Sequence, residues 1–177
     1  SAGITDVTVQ RIAGNLTDNY NGQNKTLNLS DSTANSTSVA AIGVAAHECG
    51  HAIQDATNYQ PMRLRSYIVP VVNIGSTISM PLIFLGLILG MNQTLIYAGI
   101  WAFSAVVFFQ VVTLPVEFNA SNRAINILAD SPLLEADEIP TVKKVLTAAA
   151  LTYVAAVLSS ALQLLRLVLL FGGRRDD

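Results

Sequence analysis

Apolar and polar positions along this chain fall into three regimes. Between residues 7 and 29 they alternate in short stretches, VTVQ at 7–10 and KTLNL at 25–29, with the turn dipeptide Asn21-Gly22 between them. Period-two alternation around a turn signal predicts a small β-hairpin or three short strands. SDSTANSTS at 30–38 breaks that pattern with capping residues, and the alanine-rich stretch from Val39 to Ala56 predicts a helix with its N-cap among Asn35, Ser36 and Ser38. TNYQP at 57–61 is its stop signal. The third regime is mainly apolar and uncharged: residues 66–90, 94–116 and 145–171, the last with a single charge at Arg166. Each is long enough to cross a bilayer; at 1.5 Å per residue the second reaches about 34 Å. The first two predict a hairpin with Met91-Asn92-Gln93 at its tip. Pro70 and Pro81 are expected to kink its first arm, with neighbouring groups re-satisfying the freed carbonyls. Between the second and third spans, residues 118–130 read as amphipathic and 131–140 (SPLLEADEIP) as an acidic connector with a proline-started helical turn.

The expected organisation is therefore a mainly α membrane protein with three transmembrane helices and a small β-element at the membrane surface. Its parts are a strand-and-helix region over 1–65, a transmembrane hairpin over 66–116, an interfacial region over 117–144, and a third span with its tail over 145–177. Composition agrees: the chain is 51% hydrophobic and 12% charged, where soluble proteins carry about a quarter charged residues. A net charge of −2, without any long basic run, removes the electrostatic case for nucleic acid. The single cysteine, Cys49, leaves the redox compartment open.

Chemistry concentrates on the predicted helix at 39–56. It carries both histidines of the chain in the sequence His47-Glu48-Cys49-Gly50-His51. Residues four apart on a helix share a face, so His47 and His51 can aim two imidazoles at one ion, while Glu48 lies close enough to act on a water there without being a ligand. That is the pattern of a catalytic zinc with Glu48 as general base; the bland reading is a helix with two incidental histidines. Cys49 points away from the histidine face. A catalytic zinc takes three protein ligands, so the third must be a carboxylate or Cys49. Glu117 stands alone after the uncharged run from Ser66 to Val116, where an unpaired carboxylate would be expensive. The hairpin also returns it to the side of the membrane from which the motif helix enters. Glu117 is therefore the candidate third ligand, against the plainer reading of an interfacial helix-end charge.

GVAAHECGHAIQ, then VTLPVEFNASNRA after an apolar hairpin, then AALTYVAAVLSSALQLL resemble the bacterial neutral membrane zinc metallopeptidases of the YugP type, from Val7 to the C-terminus. The chain is more distantly similar to gluzincin-like membrane peptidases in which a Glu-aromatic-x-Ala-Asp segment supplies the third ligand. The resemblance implies Glu117 as ligand, Phe118 as the aromatic and Ala120 as the small residue. Ser121 stands where those relatives carry Asp, which makes Ser121, and beside it Asn119, the candidate partners behind the ligands. It also implies a preceding transmembrane helix and linker, and a strand region that supplies no ligand, because Asp18-Asn19-Tyr20-Asn21 lacks the relatives' histidine. Arg123 is either an oxyanion stabiliser or, more plainly, a lipid-facing anchor. Tyr153 and Asn73 could line a substrate groove or bond between helices.

The sequence thus predicts a Zn2+ endopeptidase acting on a protein or peptide at the surface of a lipid bilayer, with its oligomeric state open. The edge of the strand at 25–29 could hold an extended substrate. Alternatives are an intramembrane protease, disfavoured by Asp31, Asp55, Arg63 and Arg65 around the motif, and a non-catalytic membrane scaffold or partner subunit retaining a structural zinc. Arg63, Arg65, Arg123, Lys143 and Lys144 on the motif side, against Arg174 and Arg175 on the other, predict that the zinc site faces the cytoplasm and the tail the exterior; the resemblance implies that the membrane is a bacterial inner membrane.

Overall fold

A computed structural model describes residues 2–173. Its elements in chain order are β1 (Thr8–Ile12), β2 (Asn19–Asn21), β3 (Thr26–Ser30), α1 (Asp31–Ala34), α2 (Val39–Ala56), α3 (Gln60–Ile88), α4 (Gln93–Ala129) and α5 (Ile139–Phe171). They make two compact units, one of residues 2–63 with Pro115–Leu151, the other of Leu64–Leu114 with residues 152–173.

In the first unit the alternating stretches form one three-stranded sheet in the order β1-β3-β2. β1 runs parallel to β3 from Thr8 opposite Thr26 to Ile12 opposite Ser30. β2 is antiparallel, with Tyr20 opposite Leu27, and joins β3 through the Asn21-Gly22 turn, where the Asn21 side chain accepts from the Gln23 N–H at 2.9 Å. A polar ladder crosses all three strands: Gln10 donates to Asn28 at 2.6 Å and Asn28 to Asn19 at 2.9 Å, the kind of cross-strand pairing that stabilises a small sheet. Asp18 closes the end of β3 by accepting from both the Ser30 N–H and its hydroxyl, each at 2.8 Å. Because β3 is the middle strand, both its edges are already paired. The expectation that its edge holds an extended substrate is therefore corrected: alternation along a strand reports which face is buried, not which neighbours it has.

Ser38 caps α2, its hydroxyl accepting from the Ala41 N–H at 3.2 Å. The helix then buries Ala46 in an apolar core with Ala124, Leu128, Val142 and Leu146. This core explains why α4 runs on as a single helix past Pro115, where the sequence suggested a span and a separate amphipathic segment. A proline inside a helix costs about 3 kcal/mol. Beyond it Val116, Ala120, Ala124 and Leu128 are all essentially inaccessible to solvent, and burial of a side chain such as Leu128 alone contributes about 1.5–3 kcal/mol. Packing therefore outweighs the break.

The second unit is a helical hairpin with part of α5. The turn at 89–92 places Gly90 and Met91 at positive φ and closes with the Asn92 N–H donating to the Gly86 carbonyl at 2.8 Å. At Gly99 a Cβ would lie 2.6 Å from the Ser79 carbonyl oxygen, so only glycine allows this approach. Ile83, Ile96, Ile100 and Leu167 form its core. Among the described residues, α3, α4 and α5 are long and apolar enough to cross a membrane, each starting or ending outside the uncharged run from which it was predicted.

Candidate metal centre

α2 and α4 meet at Gly50. A Cβ there would lie 3.0 Å from the carbonyl carbon of Ala120, 3.1 Å from its Cα and nearer still to its oxygen. Ala120 itself is fully buried. On α2 the histidines stand on either side of this contact in sequence; on α4 Glu117 and Ser121 do the same. The close approach of the two backbones thus lets short side chains from both helices converge.

The convergence is tight. Glu117 Oε2 lies 3.0 Å from His47 Nε2 and 3.5 Å from His51 Nε2, and one donor atom from each of the three residues falls within 4.8 Å of the others. The rings of His47 and His51 stand 4.8 Å apart and nearly perpendicular, at 87°. His51, Glu117 and Glu48 are buried, and His47 is nearly so.

Behind the donors the outward ring nitrogens are also held. His47 Nδ1 lies 3.1 Å from the Ser121 hydroxyl, and His51 Nδ1 lies 2.9 Å from Gln54 Oε1. With Nδ1 bonded to an acceptor, His51 turns Nε2 toward a carboxylate oxygen 3.5 Å away, a place that either a proton or a metal cation can fill. Two imidazole nitrogens and one carboxylate oxygen, buried and focused on one point, are a donor set suited to zinc, and three protein donors is the number a catalytic site uses.

Glu48, next to His47 on α2, is held above the ordinary carboxylate range. Burial raises it, and the neighbouring His51 and His47 only partly oppose that rise. Burial lowers the His51 imidazole, yet the bond and charge of Glu117, with Glu48 and Gln54, carry it above its usual value. The first shift reflects burial; the second reflects the carboxylates of Glu117 and Glu48 beside the ring.

The remaining sequence candidates fall as follows. Ser121 contacts a histidine directly. Asn119 is one step further out: its Oδ1 accepts from Gln54 Nε2 at 3.0 Å and from Arg123 Nε at 2.8 Å. Arg123 also stacks over the Tyr59 ring, 5.8 Å from its centroid. Cys49 is exposed. Asp55 accepts from the Tyr20 hydroxyl at 2.8 Å, tying β2 to the last turn of α2. Arg174 and Arg175 lie outside the described residues. Sequence reasoning passed over Gln54, although its place three residues after His51 puts it one turn along the same face.

The chain matches, over residues 1–172, the family described as "Putative neutral zinc metallopeptidase". It is 47% identical over 175 residues to "Putative membrane protease YugP" of Bacillus subtilis (strain 168), an alignment taking in 99% of this chain and 77% of that protein. No solved structure matches it.

Proposed function

The chain belongs to the neutral zinc metallopeptidase family, and from that premise we propose that it is a membrane-embedded zinc endopeptidase that hydrolyses peptide bonds at the membrane surface. The observation that carries the reading is the focus of His47, His51 and Glu117 on one point with the buried carboxylate of Glu48 beside it.

His47 and His51 would hold the ion through Nε2 and Glu117 through a carboxylate oxygen. Zinc bound there supplies Lewis acidity, acidifying a water and polarising the scissile carbonyl. Glu48 takes a proton from the attacking water. It lies buried on α2 directly beside the ligand His47. As the C–N bond breaks, Glu48 delivers that proton to the leaving amide nitrogen, so the carboxylate is regenerated. Ser121 and Gln54 keep the two rings in place through the cycle. The family membership and the count of donors favour catalysis over a structural zinc, which would need a fourth protein ligand; among the described residues the cluster has three.

The positive residues Arg63, Arg65, Arg123, Lys143 and Lys144 favour a cytoplasmic site in a bacterial inner membrane. In a Cys49→Ala background, a probe cysteine at position 137 should resist an impermeant maleimide in intact cells, and labelling there would reverse the orientation. The function is tested by metal content and casein hydrolysis of wild type and Glu48→Gln. Wild type should contain one zinc per chain and cleave; the variant should keep the zinc and lose cleavage. Equal cleavage by both would remove Glu48 from the mechanism.

A further inference from the structure

Gln54 has no exposed surface, and the proton transfers assigned above give it no part, yet both ends of its amide are engaged. Nε2 donates to the Val116 carbonyl at 2.8 Å and to Asn119 Oδ1 at 3.0 Å, and Oε1 faces His51 Nδ1 at 2.9 Å. The polarity of this arrangement is forced from both sides. A peptide carbonyl only accepts, so the Gln54 atom facing Val116 is the NH2 group. A guanidinium only donates, so the Asn119 atom 2.8 Å from Arg123 Nε is the oxygen. That oxygen in turn requires an N–H from Gln54. The Gln54 carbonyl oxygen is then left to His51, and an oxygen that can only accept requires the imidazole proton to sit on Nδ1.

We infer that Gln54 is a positioning residue for the metal centre: it holds the His51 ring with its proton on Nδ1 and the Nε2 lone pair toward Glu117, and is itself anchored by the Val116 carbonyl and the Asn119–Arg123 pair. The inference rests on the zinc peptidase reading. It also accounts for a centre without a carboxylate behind either histidine. The Ser121 hydroxyl and the Gln54 amide orient the rings without adding charge, so the ligand set keeps the single negative charge of Glu117. Arg123 acts at the far end of this chain of bonds and on the Tyr59 ring.

A purely structural role, with Gln54 as a strut between α2 and α4, makes the opposite prediction for two variants. Gln54→Glu keeps an acceptor for His51 but loses both donors to α4. Gln54→Met keeps the volume but loses the acceptor as well. If Gln54 positions His51, zinc affinity measured by chelator competition falls 10- to 100-fold in Gln54→Met, the range expected when a partner behind a metal ligand is removed, and stays near wild type or tightens in Gln54→Glu. If it is a strut, Gln54→Glu is the weaker binder, and that order overturns the inference. Nuclear magnetic resonance of the zinc-loaded protein labelled with 15N-histidine gives a second readout. With two histidines in the chain, the His51 Nδ1 proton is directly assignable. It should be protected from exchange in wild type and Gln54→Glu and exposed to it in Gln54→Met. Should the Met variant fail to fold, as judged by helical circular dichroism, that proton in wild type and Gln54→Glu decides alone. Its absence in wild type overturns the inference. A wild type that takes up no zinc overturns the proposed function and this inference together, whereas equal zinc affinity in all three proteins overturns the inference alone.

Discussion

Replacing Gly50 by alanine should disable the metal centre through a methyl group that touches no ligand. The added Cβ would meet the Ala120 backbone, with its carbonyl carbon at 3.0 Å and its oxygen closer still. Ordinary contacts begin near 3.5 Å, and backbone cannot swing aside as a side chain can, so α2 and α4 must separate locally by about 1 Å. The wedge acts between His47 and His51 on one helix and between Glu117 and Ser121 on the other. Metal and catalytic constellations tolerate displacements of about 0.5 Å, and a 1 Å misplacement costs on the order of 100-fold. Zinc should therefore bind about 100-fold more weakly, about 2.8 kcal/mol at 1.4 kcal/mol per tenfold, with cleavage of casein lost in proportion. Overpacking should also lower stability by about 1–3 kcal/mol. Gly43→Ala is the control, because the nearest atoms its Cβ would meet belong to the Val142 side chain, at 3.3 Å, which can yield where backbone cannot. It should lose some thermal stability and keep its zinc. The assays are chelator competition, casein hydrolysis and thermal melting in one detergent. A Gly50→Ala protein with wild-type zinc affinity would show that the close approach does not hold the donors in register.

Glu117→Ala should lose stoichiometric zinc and activity together, while Cys49→Ala and Asp55→Ala keep the metal; full zinc in the Glu117 variant, by elemental analysis, would remove it from the ligand set. Ser121→Asp should fold and bind zinc about tenfold more tightly, because a carboxylate behind His47 raises its basicity, and equal dissociation constants would deny Ser121 any influence on the metal. Tyr20→Phe removes the bond to Asp55 and should cost about 1 kcal/mol in thermal or denaturant unfolding. Burial first, then the bond and charge of Asp55, raise the Tyr20 hydroxyl above its usual value. The folded state therefore keeps that proton longer than the unfolded chain does. The bond contributes in full below about pH 10 and is lost as pH rises beyond it, so wild type and Tyr20→Phe should converge in stability at alkaline pH.

The parts of this protein legible in its sequence are those that depend on local periodicity. Alternation marked the strands, the serine-rich stretch marked the cap at Ser38, and spacing by four put His47 and His51 on one face. Glu117 could be reached because a lone carboxylate after a long uncharged run has few cheap explanations and because a hairpin returns to its starting side. The order β1-β3-β2 could not be read, since alternation carries no record of which strands pair. The continuity of α4 beyond Pro115 was hidden because it depends on packing around Ala124 and Leu128, which outweighs a strong local break. Gln54 was hidden for a related reason: a glutamine on a helix looks like any solvated residue until Gly50 brings another helix against it.

The donor triad also has an order of assembly. His47 and Glu117 are 70 positions apart, and the two arms of the hairpin lie between them in the chain. During synthesis both histidines are therefore made long before their carboxylate, and the second arm must be complete before Glu117 can reach them. A nascent chain that has not yet made its second arm offers only two imidazoles, a poor zinc site. The donor set is therefore completed only after both arms of the hairpin have been synthesised, and any ion held there is held by a chain whose hairpin spans already exist.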